Sequence, residues 1–382
     1  MLDFSLSPQQ VALREEIAEF AQSYLNEGVA QRDQEQFFDR SLWEKCGSIG
    51  LPGLSIPQAY GGRGLNALDT VLALEALGRH SEDAGFNFAL AAHLLACAVP
   101  IWQFGTDEQK TNLLPALCNG KHVATNAMTE ASAGSDVYRM ASTAEPTDTG
   151  FLLNGHKTYC SNGPVADVVL TYATTHETKG FFGGITAFVL QKDQHAFRST
   201  DRIDKLGLRT CQLGELFFEN VELEATTVLG AVGGGGPIFH RSMEWERICL
   251  GALHIGEMER LLSKAARFAK KRRSAGKALQ EYQAVMHPLA DLKCRIEAGR
   301  QLLYKSAWML SENKKVNAQA AMTKLFISET YRDFAVQMQQ LFAGAAFRTP
   351  NEFERCLRDA MSATIYSGTS EVQRNIIGKS IR

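Results

Sequence analysis

The hydrophobic pattern of this 382-residue chain changes period twice, from helical spacing to short alternating runs and back, which restricts it to a three-part architecture. A helix buries a stripe and a strand buries a face, so each change of period marks a change in what packs against what. Ser7, Pro8 and Gln10 read as an N-cap, a first-turn proline and a capping-box glutamine, and Val11, Leu13, Ile17, Phe20 and Leu25 follow at helical spacing. Helical stretches continue to about Leu117, broken by loops at Gly50-Leu51-Pro52-Gly53 and Tyr60-Gly61-Gly62-Arg63-Gly64. Between Cys118 and Leu229, runs such as Val168-Val169-Leu170-Thr171-Tyr172 and Glu215-Leu216-Phe217-Phe218 alternate with Gly, Asn, Asp and Pro, which predicts a β domain. Gly233-Gly234-Gly235-Gly236-Pro237 reads as a hinge, after which Ile238, Met243, Ile248, Leu253, Met258 and Leu262 resume helical spacing. Domains are therefore expected at 1–117 (helical), 118–229 (β) and 230–382 (helical).

Composition excludes several classes of function. With 45% hydrophobic and 21% charged residues the chain should fold, and a net charge of -2 gives no electrostatic reason to expect nucleic acid or an anionic membrane as partner. Met1-Leu2-Asp3-Phe4 lacks the basic and apolar pattern of a secretory leader, and no run of about 18 apolar residues is evident. The eight cysteines form no CxxC pair, which favours reduced thiols in a cytoplasm over disulfides or a metal site. The glycine run lacks the Lys-Ser/Thr ending of a P-loop and the strand and spacing of a dinucleotide fingerprint, so it reads as a linker.

Thr129-Glu130-Ala131-Ser132-Ala133-Gly134-Ser135-Asp136 is a small-residue loop that can bring backbone N–H groups close to a flat ligand, though alone it is equally an ordinary turn. Its order relative to four other segments is more specific: Asn154-Gly155-His156-Lys157-Thr158-Tyr159-Cys160-Ser161-Asn162-Gly163, Lys205-Leu206-Gly207-Leu208-Arg209, Gln340-Leu341-Phe342-Ala343-Gly344 and residues 366–373. Together these resemble the acyl-CoA dehydrogenase family over nearly the full chain. The resemblance implies a mainly α fold with a central β domain (helical bundle, β-barrel, helical bundle), FAD, a homotetramer and α,β-dehydrogenation of an acyl thioester.

Carried over by position, the resemblance puts Met128, Thr129, Gly134 and Ser135 along the isoalloxazine and pyrophosphate of FAD, and Tyr159 and Ser161 over the far face of the ring. Arg272, Ser274, Gln283, Gln340 and Gly344 match positions that reach a neighbouring subunit's FAD, and Thr369 and Glu371 match the segment near its adenosine part. Ser135, Arg247 and Tyr366 match substrate-facing positions. Two departures concern the neighbour's flavin: Ala275 replaces a usual phenylalanine, and Glu371 a frequent glutamine.

The resemblance also exposes a missing group. Ile365-Tyr366-Ser367-Gly368-Thr369-Ser370 matches the family's flavin-facing turn, with Ser367 where most members carry a catalytic glutamate. A hydroxyl without an adjacent base is too weak an acceptor at neutral pH, and no histidine adjoins Ser367 in sequence. Trp245-Glu246-Arg247 matches the helix position from which isovaleryl- and long-chain members supply the base. Glu244 and Glu246 project in different directions on a helix, and the match selects Glu246. An arbitrary glutamate beside an arginine is more often a solvated pair. A pocket closed over Glu246 should raise its pKa by desolvation, and the Ser367 backbone N–H remains as an expected donor to the thioester carbonyl.

Ala92-His93-Leu94-Leu95-Ala96-Cys97, Asn126-Ala127-Met128-Thr129, Ile238-Phe239-His240, Ser242-Met243 and Tyr366-Ser367-Gly368-Thr369 resemble a narrower group that oxidises prolyl and other aminoacyl thioesters on peptidyl carrier proteins, in natural product biosynthesis. That reading is favoured here over a short or branched-chain acyl-CoA dehydrogenase. A flavin oxidase or hydroxylase and a non-catalytic flavin-binding scaffold are the remaining alternatives. Electrons would leave to an electron-transfer flavoprotein or to oxygen. Trp245 and Phe239 are expected in the core, and His93 and His240 as satisfied interior histidines. The run Lys270-Lys271-Arg272-Arg273 is ordinarily a solvated helix face, and could also meet an acidic carrier.

Overall fold

The structure, a computed structural model, describes residues 5–381. Met1–Phe4, which carried the expectation about a leader, lie outside the described residues. The chain folds as its periods predict: helices up to Cys118, strands from Ala124 to Leu229, and helices again from Gly235. The opening helix, Pro8–Tyr24, has the anticipated capping box, with Ser7 Oγ accepting from the Gln10 N–H and Gln10 Oε1 accepting from the Ser7 N–H. Leu13, Ile17 and Phe20 are buried from its inner face, whereas Val11 is exposed.

Eight strands build the central sheet: β1 (Ala124–Ala127), β2 (Thr143–Pro146), β3 (Gly150–Ser161), β4 (Val168–Thr174), β5 (Ile185–Gln191), β6 (Arg198–Ser199), β7 (Leu213–Glu224) and β8 (Val228–Leu229). Their order is β6-β7-β3-β2-β4-β5-β8, and β1 pairs in parallel with β4. The β1 register sets Asn126 opposite Leu170 and Ala127 opposite Thr171. Side chains alternate across the sheet. Val169 and Ala173 of β4 enter a small core within the β domain, while Val168, Leu170 and Tyr172 join the large core shared with the helices.

Two expectations need correction. The 233–237 run is not a free linker: Gly235, Gly236 and Pro237 form the first turn of a helix running from Gly235 to Lys271. Gly235 and Gly236 are buried where added Cβ atoms would press on the Ile185 and Phe181 carbonyls, so small size rather than mobility explains them. The second concerns membrane-length apolar stretches. Ala84–Phe104 is long and apolar enough to cross a membrane, contrary to the sequence reading, and 94% of its apolar window is buried inside the molecule as a core helix.

Candidate active site

Glu246 lies on the Gly235–Lys271 helix, and Ser367 on the turn between the helices Glu352–Ala363 and Ser370–Ser380. These residues, 121 positions apart, meet: Ser367 Oγ donates to Glu246 Oε2 at 3.3 Å. Ser367 holds φ +53° and Gly368 φ +92°, a left-handed pair that turns the backbone sharply towards the long helix. The turn is pinned from two sides. Arg247 Nε donates to the Ser367 carbonyl at 3.1 Å, and Gln373 Nε2 donates to the Ser367 and Gly368 carbonyls at 3.2 and 2.7 Å.

Glu246 is buried, and loss of water raises its carboxyl to about 7, against the opposing pull of Arg247 and the Ser367 hydroxyl. That value suits a general base near neutral pH. Glu244 instead pairs with Arg241 at 2.9 Å and leaves Glu246 alone to face Ser367. Glu246, Arg247, Tyr366 and Ser367 line one small cavity together with His254 and Lys324. Burial holds the His254 imidazole down at about 3, so the ring is neutral, and its Nε2 hydrogen-bonds with the Tyr366 hydroxyl at 2.6 Å. The Tyr366 ring packs 4.7 Å from that of Phe88.

The residues matched to FAD fall in two groups. Met128 directly follows β1, and Thr129 and the 131–136 loop come next; Gly134 and Ser135 are exposed while Ala133 is buried, and a Cβ on Gly134 would meet nothing within 4 Å. The loop is anchored by Glu130, which pairs with the fully buried Lys157 at 2.7 Å and accepts from Ser142 Oγ at 2.6 Å. Tyr159 sits at a register shift in β3 with φ +55° and is 64% exposed, so its ring is free to cover a flat ligand, with Ser161 two residues on. An open glycine loop beside an uncovered aromatic ring fits a flavin.

Arg272, Ser274, Gln283, Gln340 and Gly344 are all exposed on this chain, away from its interior. Arg273–Ser274 and Lys277–Ala278 form a short ribbon whose tip is Ala275 (φ +46°) and Gly276 (φ +79°). Thr369 caps the Ser370–Ser380 helix by accepting the Val372 N–H at 3.3 Å, and Glu371 lies exposed in its first turn. These groups are accessible to another subunit.

Among the remaining sequence candidates, His93 is an interior histidine with both ring nitrogens engaged: Nδ1 accepts from the Ala124 N–H at 2.9 Å and Nε2 meets the Leu117 carbonyl at 3.2 Å. Trp245 is buried, and His240 stacks on the exposed Phe182 ring at 5.3 Å. Sequence reasoning missed His254 and Lys324, which line the cavity with Glu246. Each lies on an apolar run where local pattern marks only a core position.

Family models for the N-terminal, middle and C-terminal domains of acyl-CoA dehydrogenase match residues 7–121, 125–221 and 233–382. The chain belongs to the acyl-CoA dehydrogenase family, FAD-dependent oxidoreductases of acyl thioesters. It is 37% identical over 380 residues to an L-prolyl-(peptidyl-carrier protein) dehydrogenase of Serratia sp., covering 100% of this chain and 98% of the relative. It is 34% identical to a short-chain-specific acyl-CoA dehydrogenase of Megasphaera elsdenii, covering 99% of each. Among solved structures it resembles PigA with FAD and proline (TM-score 0.97, 37% identity, 100% and 99% of the two chains covered). It also resembles the prolyl acyl carrier protein oxidase AnaB (TM-score 0.96, 39% identity, 99% and 100% covered).

Proposed function

We propose that this protein dehydrogenates a prolyl-type aminoacyl group held as a thioester on a peptidyl carrier protein, with Glu246 as the base that removes the α-proton. The observation that carries the reading is the Glu246–Ser367 pair: the turn that lacks a carboxylate touches a buried carboxyl raised to about 7. A base at that value is ionised in a useful fraction of molecules at neutral pH, yet accepts a proton readily. Arg247, donating to the Ser367 carbonyl, keeps the turn against the base, and the Ser367 N–H is the donor assigned to the thioester carbonyl as enolate charge develops. When bound, FAD supplies the acceptor for the hydride leaving the β-carbon.

Met128, Thr129, Gly134, Ser135, Tyr159 and Ser161 would hold the chain's own flavin. Arg272, Ser274, Gln283, Gln340, Gly344, Thr369 and Glu371 would complete a neighbour's, in a cytoplasmic homotetramer serving natural product biosynthesis. Ser135 and Tyr366 would border the substrate. The prolyl-carrier relative and the two prolyl-linked structures support the aminoacyl substrate, and the Megasphaera relative supports the runner-up, a short-chain acyl-CoA. The test is anaerobic mixing of the FAD-loaded protein with prolyl-carrier thioester and, separately, butyryl-CoA and isovaleryl-CoA. Flavin bleaching by the prolyl thioester at the highest kcat/KM supports the proposal, and preferential bleaching by a CoA ester overturns it.

A further inference from the structure

Lys324, on the Asn317–Phe342 helix, lines the cavity shared by Glu246, Arg247, Tyr366 and Ser367. The residue is 5% exposed, and its Nζ is buried with no hydrogen-bond partner among the described residues. A buried amine escapes the cost of its charge by losing its proton or by finding a counter-charge. Burial and the nearby Arg247 draw Lys324 down only to about 8, so at neutral pH it is still mostly an ammonium. The carboxylates around it are engaged elsewhere: Glu329 pairs with Arg374 at 2.8 Å, Glu371 is exposed in the first turn of its own helix, and Glu246 accepts from Ser367. Arg247 is buried as well, and among the described residues only its Nε is used, on the Ser367 carbonyl. Two buried cations thus border one cavity whose single carboxyl, Glu246, is itself held up at about 7 by loss of water.

We infer that this cavity is a binding site for a monovalent anion of halide size, held between the Lys324 ammonium and the unused Nη groups of Arg247. Size restricts the ligand: the space open to the centre of a water-sized sphere is about 10 Å³, room for one water molecule or one monatomic ion and too little for phosphate or sulfate. Charge then selects an anion over water. A water molecule offers lone pairs but no counter-charge, and Leu250, Gly251, Ile327 and Ala363 add only apolar wall. The site goes beyond the dehydrogenation proposed above and does not depend on which acyl group is oxidised. It does bear on the base, because an anion beside Glu246 disfavours its ionised form. The other titratable groups around Glu246 leave that influence unopposed. His254 on the same helix is neutral, and Glu244 is paired with Arg241. Burial keeps Cys97 on the Ala84–Phe104 helix, Tyr172 on β4 and Tyr366 on the turn protonated.

Crystals of the FAD-loaded protein grown with bromide in place of chloride test the site directly. The expected result is an anomalous bromide peak in the cavity, in contact with Lys324 Nζ, that disappears in Lys324→Met. A second measurement is the pH limb of anaerobic flavin reduction, with whichever of the three thioesters above reduces the flavin. It is recorded at constant ionic strength in chloride and in gluconate, an anion too large to enter. The limb should lie about 1 unit higher in chloride, the shift expected from one close like charge, and the difference should vanish in Lys324→Met. A wild-type cavity without bromide density overturns the site, whether or not the variant folds. A limb at the same pH in both salts, or a salt effect that persists in Lys324→Met, overturns the action on Glu246. If none of the thioesters reduces the flavin, the proposed function falls, and the bromide measurement still decides the site.

Discussion

At the scale of single residues the proposed chemistry turns on Glu246 and the hydroxyl beside it. Flavin reduction should require ionised Glu246, so its rate at saturating substrate should rise with pH through a limb near 7 and level off above it. The Ser367 hydroxyl bonds to the charged form and lowers that value, so Ser367→Ala should move the limb to higher pH while retaining the plateau rate within a few-fold. A pH series of stopped-flow traces measures both, and a limb that stays in place in Ser367→Ala contradicts the contact. Glu246 and Ser367 were legible in the sequence because a motif with a missing carboxylate asks where the base has gone. His254 and Lys324 were not, because burial and partners from distant segments give them their character, and a run such as Leu253-His254-Ile255 reads locally as helix core.

At the scale of elements, the Glu130–Lys157 pair ties the small-residue loop to β3 in a place where neither charge meets water. Lys157→Met would leave the Glu130 carboxylate buried without its counter-charge, at a cost of about 3–5 kcal/mol. The variant should melt lower and lose flavin during gel filtration. A Lys157→Met protein that keeps both its melting temperature and its flavin would show that the loop is held by other contacts. The helix/β/helix succession was readable because each period reports which face an element buries. The 233–237 run was not, since glycine reads locally as flexibility, and the close Ile185 and Phe181 carbonyls that demand it belong to another part of the chain. For the same reason the apolar stretch Ala84–Phe104 becomes a core helix only once the surrounding helices and sheet cover it.

At the scale of the whole molecule, the proposed tetramer follows from a division of labour, with one set of flavin residues on each chain and another exposed for a neighbour. Arg272→Glu should leave the subunit's helical content intact, because the side chain is exposed, while weakening FAD retention and assembly. Light scattering and the flavin-to-protein ratio check this, and a fully flavinylated tetramer at wild-type stability would remove Arg272 from the shared site. The measurement that bears most directly on the account is anaerobic stopped-flow reduction of intact, FAD-loaded Glu246→Gln by prolyl-carrier thioester. The account predicts normal flavin content and a reduction rate lower by about 10²- to 10⁴-fold, the usual range for removal of a general base. Reduction of that variant at the wild-type rate would contradict it.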